Sequence, residues 1–274
     1  MSNAGAIGIF DSGFGGLSIL ESINKLLPEY NYIYLGDNAR TPYGTRSFET
    51  VYKYTLEAVE KLFSLNCELV IIACNTASAK ALRNVQQIDL AKKFPNKKVL
   101  GVIRPTTEDI INYTNSNCIG ILGTKGTINS NSYKIEINKF FPEIDIFQQA
   151  CPMLVPLIEN QEHNSLGGEY FIKKYIDKLL SQNNNIDTIL LACTHYPLII
   201  NQFKKFTPKN INILAQGEIV AEKLKKYLYN HPEIDTKLGK NAILKTYTTG
   251  NTNSFNKGAS AFFNKKILSE KIDL

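Results

Sequence analysis

The sequence has no C-x-x-C pair, no dense block of basic residues and no apolar run near the roughly 20 residues that a membrane-spanning helix needs. Each absence excludes something. The five cysteines (Cys67, Cys74, Cys118, Cys151 and Cys193) are odd in number and unpaired in spacing, which argues against a disulfide framework and against a dithiol redox enzyme. A reducing, cytoplasmic setting is expected. No membrane association is expected, and the start Met1-Ser2-Asn3-Ala4-Gly5 lacks the basic-then-apolar layout of a secretory signal. The formal charge is +6, but lysines such as Lys92, Lys93, Lys97 and Lys98 fall at a helix end and turn, so no nucleic-acid partner is predicted. A basic balance of this size mildly favours anionic substrates. The first glycine-rich turn has neither G-x-G-x-x-G spacing nor the Lys-Ser/Thr of a P-loop, so a nucleotide is not expected there.

What is present is a pair of echoing stretches. Glu68-Leu-Val-Ile-Ile-Ala-Cys74-Asn75-Thr76 and Asp187-Thr-Ile-Leu-Leu-Ala-Cys193-Thr194-His195 share an acid, an unbroken apolar run, Ala, Cys and a small polar residue. Apolar runs without alternation suit strands covered on both faces, as in parallel sheets. Ligands of such sheets bind just past the carboxyl ends of strands, where both cysteines would lie. A second echo pairs Ile7-Gly8-Ile9-Phe10-Asp11-Ser12-Gly13 with Ile119-Gly120-Ile121-Leu122-Gly123-Thr124-Lys125. The offsets, 119 − 7 = 112 and 193 − 74 = 119, indicate a duplication. The fold class expected is α/β: two similar lobes, each a mainly parallel sheet flanked by helices, pseudo-symmetric about a cleft. The first lobe is expected to take residues 1–97 and 210–274, the second 98–209.

Along the chain, strands are predicted near residues 5–10, 31–35, 68–73, 99–103, 118–122, 144–148, 187–192, 211–214 and 242–248. Helices are predicted between them, among them 47–65 behind a Ser47 cap, 75–93 and 169–181 after a break at Gly167-Gly168. Pro197 suits the first turn of a helix. The tail from residue 210 is expected to complete the sheet of the first lobe.

One cysteine at a strand end is most often a small hydrophobe. Two in matching positions, on lobes facing each other, can flank one substrate carbon. Thiols carry protons near neutrality, and one base with one acid on opposite faces is what inversion at an acidic C–H requires. His195, two residues after Cys193, can tune that thiol or shuttle a proton. Asp11 reads either as a helix cap or as a carboxylate aimed at an ammonium or thiol. Asn75 and Thr76 read as helix caps, and Glu159 as a surface residue. Zinc on Cys74, Cys193 and His195 lacks a spaced fourth ligand, so no metal is expected. No flavin or pyridoxal motif is visible, and a cofactor-free reaction is expected.

The motifs Asp11-Ser12-Gly13-Phe14-Gly15-Gly16, Pro42-Tyr43-Gly44, Cys74-Asn75-Thr76-Ala77-Ser78, Val155-Pro156-Leu157-Ile158-Glu159, Cys193-Thr194-His195-Tyr196-Pro197 and Gln216-Gly217-Glu218 occur in order and at spacing that resembles the glutamate racemases. These are cofactor-independent, two-cysteine amino-acid racemases, and the resemblance runs from about Ile7 to Leu228. It implies that Cys74 takes the α-proton of D-glutamate and Cys193 that of L-glutamate. It implies that Asp11 assists Cys74 and, with Ser12, meets the ammonium, while His195 and Glu159 stand beside Cys193. Asn75, Thr76 and Thr194 would hold the α-carboxylate, Pro42, Tyr43 and Gly44 the side-chain carboxylate, and Thr124 and Thr127 would add contacts. A homodimer supplying D-glutamate to peptidoglycan is implied as well. Arg104 before Pro105 departs from the pattern, as does the weak signal of the last thirty or so residues. The rival readings are an aspartate or hydantoin racemase of the same superfamily, and a two-lobed protein that binds a small ligand without turning it over.

Overall fold

The computed structural model describes residues 4–263 and 266–274. Its ten strands are β1 (Ala6–Asp11), β2 (Tyr32–Gly36), β3 (Cys67–Ile72), β4 (Lys98–Gly101), β5 (Cys118–Gly123), β6 (Asp145–Ala150), β7 (Thr188–Ala192), β8 (Asn212–Leu214), β9 (Leu244–Thr248) and β10 (Glu270–Lys271). They form two sheets, in the orders β10-β9-β2-β1-β3-β4 and β6-β5-β7-β8, with every described pairing parallel. The order β2-β1-β3-β4 is repeated as β6-β5-β7-β8, so the duplication read from two sequence echoes extends to four strands in each lobe.

Two strands fall on the other side of the expected division. β4 pairs with β3 in the first sheet, whereas residues 98–209 were assigned to the second lobe. β8 pairs with β7 in the second sheet, although the tail from residue 210 was assigned to the first. The reason is the repeat itself: β4 and β8 are its fourth strands, and each joins its own half. The remaining tail behaves as expected, with β9 adding to β2 and β10 to β9.

The apolar runs are buried on both faces. In β1, Ile7 and Ile9 enter one core cluster and Ala6 and Phe10 another; in β7, Ile189 and Leu191 face one cluster and Leu190 and Ala192 the other. Side chains alternate across a strand, so four cores, two per sheet, need apolar residues at every position. Truncating one of these Ile or Leu residues to Ala is expected to lose about 2–5 kcal/mol. The acids that open the two runs are anchors far from the strand ends that carry the cysteines. Asp187 accepts hydrogen bonds from Thr114 Oγ1 and the Asn115 and Ser116 amides, each at 2.7 Å, and Glu68 pairs with Lys97 at 2.7 Å.

Helix boundaries differ in instructive places. The stretch expected as one helix over residues 75–93 is broken into Asn75–Lys80, Leu82–Asn84, a π-helical Val85–Leu90 and Ala91–Lys93. The helix expected to follow a break at Gly167-Gly168 begins earlier, at Leu166, because Ser165 accepts from the Gly168 amide at 3.1 Å and places both glycines in the first turn. Ile103, expected to end a strand, instead begins the helix Ile103–Asp109, on which Arg104 is exposed and paired with Glu108 at 3.0 Å. Among the described residues, no helix is long and apolar enough to cross a membrane.

Candidate active site

Both echoed cysteines end up on one cavity. Cys74 follows β3 and Cys193 follows β7, and the two thiols line a small, mostly enclosed pocket together with Ser12, Pro42, Tyr43, Gly44, Asn75, Thr76, Thr124, Thr194 and His195. Three of the expected site residues, Asp11, Glu159 and Thr127, stand behind this lining and reach it through hydrogen bonds.

On the first lobe, Cys74 is itself the N-cap of the helix Asn75–Lys80: its Sγ accepts from the Ala77 amide at 3.5 Å and lies 3.5 Å from Ser12 Oγ. Asn75 and Thr76, expected as caps, sit in the first turn. Burial pushes the Cys74 thiol up to about 12, with Asp11 and Cys193 adding to the rise and Ser12 and the Ala77 amide opposing it. Asp11 is fully buried at the end of β1, accepting from the Gly13 amide at 3.1 Å and from Thr194 Oγ1 of the other lobe at 3.2 Å. Burial raises its carboxyl to about 6, held from going higher by the His195 charge and by these hydrogen bonds. Asp11 is therefore a carboxylate tied across the cleft to Thr194 that also accepts from the Gly16 amide at the start of the helix Leu17–Leu26, so both of its readings hold in part.

On the second lobe, His195 Nε2 lies 3.0 Å from Glu159 Oε1. Burial disfavours the imidazolium, yet hydrogen bonds to Cys193 and Glu159 outweigh it and hold the His195 pKa well above the usual 6.5. Glu159, a surface residue by its sequence pattern, is drawn in by this contact.

The glycine-rich turn after β1 is shaped by what crosses the cleft. No described glycine has a positive φ, so left-handed backbone is not its reason. A Cβ on Gly13 would stand 2.8 Å from Glu159 Oε1, and one on Gly15 would stand 2.5 Å from His195 Nδ1. Glycine permits this close approach where any side chain would displace the imidazole. The turn cradles a histidine and a glutamate, and a phosphate is not required to explain it.

The Pro42–Gly44 loop closes the other end. The Tyr43 hydroxyl is committed to Asp37, itself buried and held by Arg40 at 2.7 Å and by Thr249 at 2.6 Å. Gly44 packs on Thr124, where a Cβ would come within 2.7 Å. Thr76, Thr124 and Thr127 form a three-hydroxyl cluster across the cleft, with Oγ1 separations of 2.8, 3.1 and 3.3 Å.

The family model for Asp/Glu/hydantoin racemases matches residues 7–223. The chain belongs to that family. A glutamate racemase from Persephonella marina is 37% identical to this racemase over 98% of the chain and 97% of its own length. One from Enterococcus faecalis is 35% identical over 96% and 93%. Among solved structures, a glutamate racemase isoform from Bacillus anthracis superposes with a TM-score of 0.89 at 33% identity, covering 98% of each chain. A glutamate racemase from Francisella tularensis in complex with D-glutamate gives 0.85 at 30%, covering 99% of this chain and 98% of its own. An aspartate racemase from Picrophilus torridus, at 22% identity and a TM-score of 0.54, shares the fold.

The racemase also has lining residues that sequence reading missed. Cys151 is a third buried thiol on the cavity, pushed well above its usual pKa by burial and by Cys193. A signal was present: an Ala-Cys pair, Ala150-Cys151, stands at the end of β6 as Ala73-Cys74 and Ala192-Cys193 stand at the ends of β3 and β7. Lys125, beside Thr124, is a cation on the lining. Tyr133 and Gln216 lie behind Asn75 and had no assigned role.

Proposed function

We propose that this racemase interconverts L- and D-glutamate without a cofactor, using Cys74 and Cys193 as its two bases. The observation that carries the reading is that two thiols, from equivalent strand ends of two duplicated lobes, line one enclosed cavity. In one direction the Cys74 thiolate takes the α-proton of D-glutamate while the Cys193 thiol gives its proton to the opposite face of the same carbon. L-Glutamate leaves, with Cys74 now the thiol and Cys193 the thiolate, and the reverse reaction restores the start.

A Cys74 thiol held near 12 is scarcely ionised at neutral pH, so its basic form is rare. The substrate supplies the correction: its ammonium, brought to Ser12 with Asp11 behind, is the cation that lowers a neighbouring thiol pKa. Asn75 and Thr76 present side-chain donors to the α-carboxylate and to the charge that develops as the proton leaves, and Thr194, whose hydroxyl is taken by Asp11, contributes through its backbone amide. Because the Tyr43 hydroxyl is taken by Asp37, the side-chain carboxylate is received by the backbone of Tyr43-Gly44. His195, held by Glu159, assists proton transfer at Cys193. The five cysteines, all free and buried, suit a reducing cytoplasm. The family resemblance supports a homodimer and a supply of D-glutamate to peptidoglycan.

The test is to incubate L-glutamate, and separately D-glutamate, with the protein in D₂O and no added cofactor. Circular dichroism and α-deuterium by mass spectrometry are followed together. Both dichroic signals decaying to zero with deuterium uptake is the expected result. Folded, reduced protein that changes neither enantiomer would overturn the reading.

A further inference from the structure

Asn75 lines the cavity and is 2% exposed, yet its Nδ2 has no hydrogen-bond partner among the described residues. An orphaned buried donor in the wall of a cavity is costly unless a ligand accepts from it. A side-chain amide can turn over, however, and in the turned state Asn75 would show a carboxylate its oxygen. Something must settle which end points inward.

The settling group lies on the opposite side of Asn75. Tyr133, on the helix Ser132–Phe140 of the second lobe, donates its hydroxyl proton to Asn75 Oδ1. Tyr133 in turn accepts from Gln216 Nε2 at 2.7 Å. Gln216 Nε2 also reaches Val102 O at 3.1 Å and Thr106 Oγ1 at 2.8 Å. A backbone carbonyl can only accept, so Val102 O fixes which end of the Gln216 amide is the NH₂. An NH₂ cannot accept the Tyr133 proton, which therefore goes to Asn75 Oδ1. Tyr133 is 0% exposed and Gln216 2%, so water does not rescue a wrong orientation. Burial keeps the Tyr133 hydroxyl protonated well above its usual range.

We propose that Gln216 and Tyr133 are positioning residues that lock the Asn75 amide with Nδ2 toward the substrate carboxylate. The relay begins where the chain crosses between the lobes. Val102 follows β4 on the way out, and Gln216 follows β8 on the way back. The orientation of a binding donor is thus set by the pairing of the two crossovers. This inference rests on the glutamate reading above.

The test is steady-state kinetics in both directions on Tyr133→Phe, which keeps the ring and removes the hydroxyl. The expected result is a KM raised about tenfold for both enantiomers, with kcat changed less than threefold. In an Asn75→Ala background the same substitution should leave KM unchanged, because the group it orients is gone. A second variant, Gln216→Glu, reverses the polarity: the carboxylate takes the Tyr133 proton, the Tyr133 oxygen accepts from Asn75, and Oδ1 turns inward. Its KM should rise at least as far as that of Tyr133→Phe. Parental KM in both variants, or an equal KM rise in the Asn75→Ala background, would overturn the relay. A parent protein inactive on glutamate would instead refute the function on which it rests.

Discussion

The two halves of the site share a scaffold and differ in their chemistry. Cys74 and Cys193 occupy the same place after the third strand of each repeat. Around Cys74 stand a hydroxyl, a helix N-terminus and the buried Asp11 carboxylate. Around Cys193 stand His195 and, through it, Glu159. The turns at the ends of the first strands differ in the same way: the one after β1 carries a buried acid, while the one after β5 offers Thr124 and Thr127. Duplication placed two thiols on one cavity, and substitution around them gave each thiol different company. A racemase needs the geometry to be symmetric but has no need for symmetric electrostatics.

The strongest way to break this comparison is to remove either thiol. Cys74→Ser and Cys193→Ser are each expected to lower racemisation by at least about 10³-fold with unchanged circular dichroism of the fold. A variant retaining near-parental turnover would show that one half of the pair is dispensable.

His195→Asn sharpens it. A loss of about 10²-fold in kcat/KM is expected. The two enantiomers have equal free energy, so kcat/KM must fall equally in both directions. The asymmetry of the halves can appear only in how kcat and KM divide, and we expect kcat to fall further with L-glutamate, which starts at Cys193. Identical kcat losses from both sides would mean that the imidazole serves both thiols alike.

Asp11→Asn tests the other half. The folded-state carboxyl sits near 6 against an ordinary 3.8, so the folded protein binds this proton more tightly. Stability from this group is full below pH 3.8 and declines as pH rises through about 6, a loss of at most about 3 kcal/mol at neutrality. Asp11→Asn should therefore raise the Tm at pH 8 by a few degrees over the parent, with the gain vanishing near pH 4, while activity falls. A variant no more stable than the parent at pH 8 would show that the buried carboxylate carries no net cost in the folded protein.

The smallest effect is expected from Glu159→Gln. Its contact helps hold the His195 pKa above 6.5, a stabilisation fully present below that value and lost as pH rises through the folded-state pKa. Removing the charge should move the alkaline limb of kcat/KM downward by on the order of one pH unit. An unmoved limb would leave Cys193 as the main support of the imidazolium.

The sequence by itself determined nine of the ten described strands, β10 excepted, together with the duplication and the two thiols. Apolar runs that must face two cores have a local signature, and so does a cysteine that ends each one. The other lining residues, among them Pro42, Tyr43, Gly44, Asn75 and Thr76, were legible only through the family resemblance of their motifs, since by local pattern they read as a connection and as helix caps. Tertiary structure alone decided which sheet took β4 and β8, because short strands of four and three residues carry no mark of their partner. It alone exchanged the capping role to Cys74 and set the glycine turn against an imidazole, and it gave Glu159, which the family resemblance sets beside Cys193, its contact with His195. It alone joined Val102, Gln216, Tyr133 and Asn75, which are distant in the chain and ordinary in type. Hydrogen-bond polarity depends on which acceptor a donor meets, and that meeting exists only once the two lobes have closed on each other.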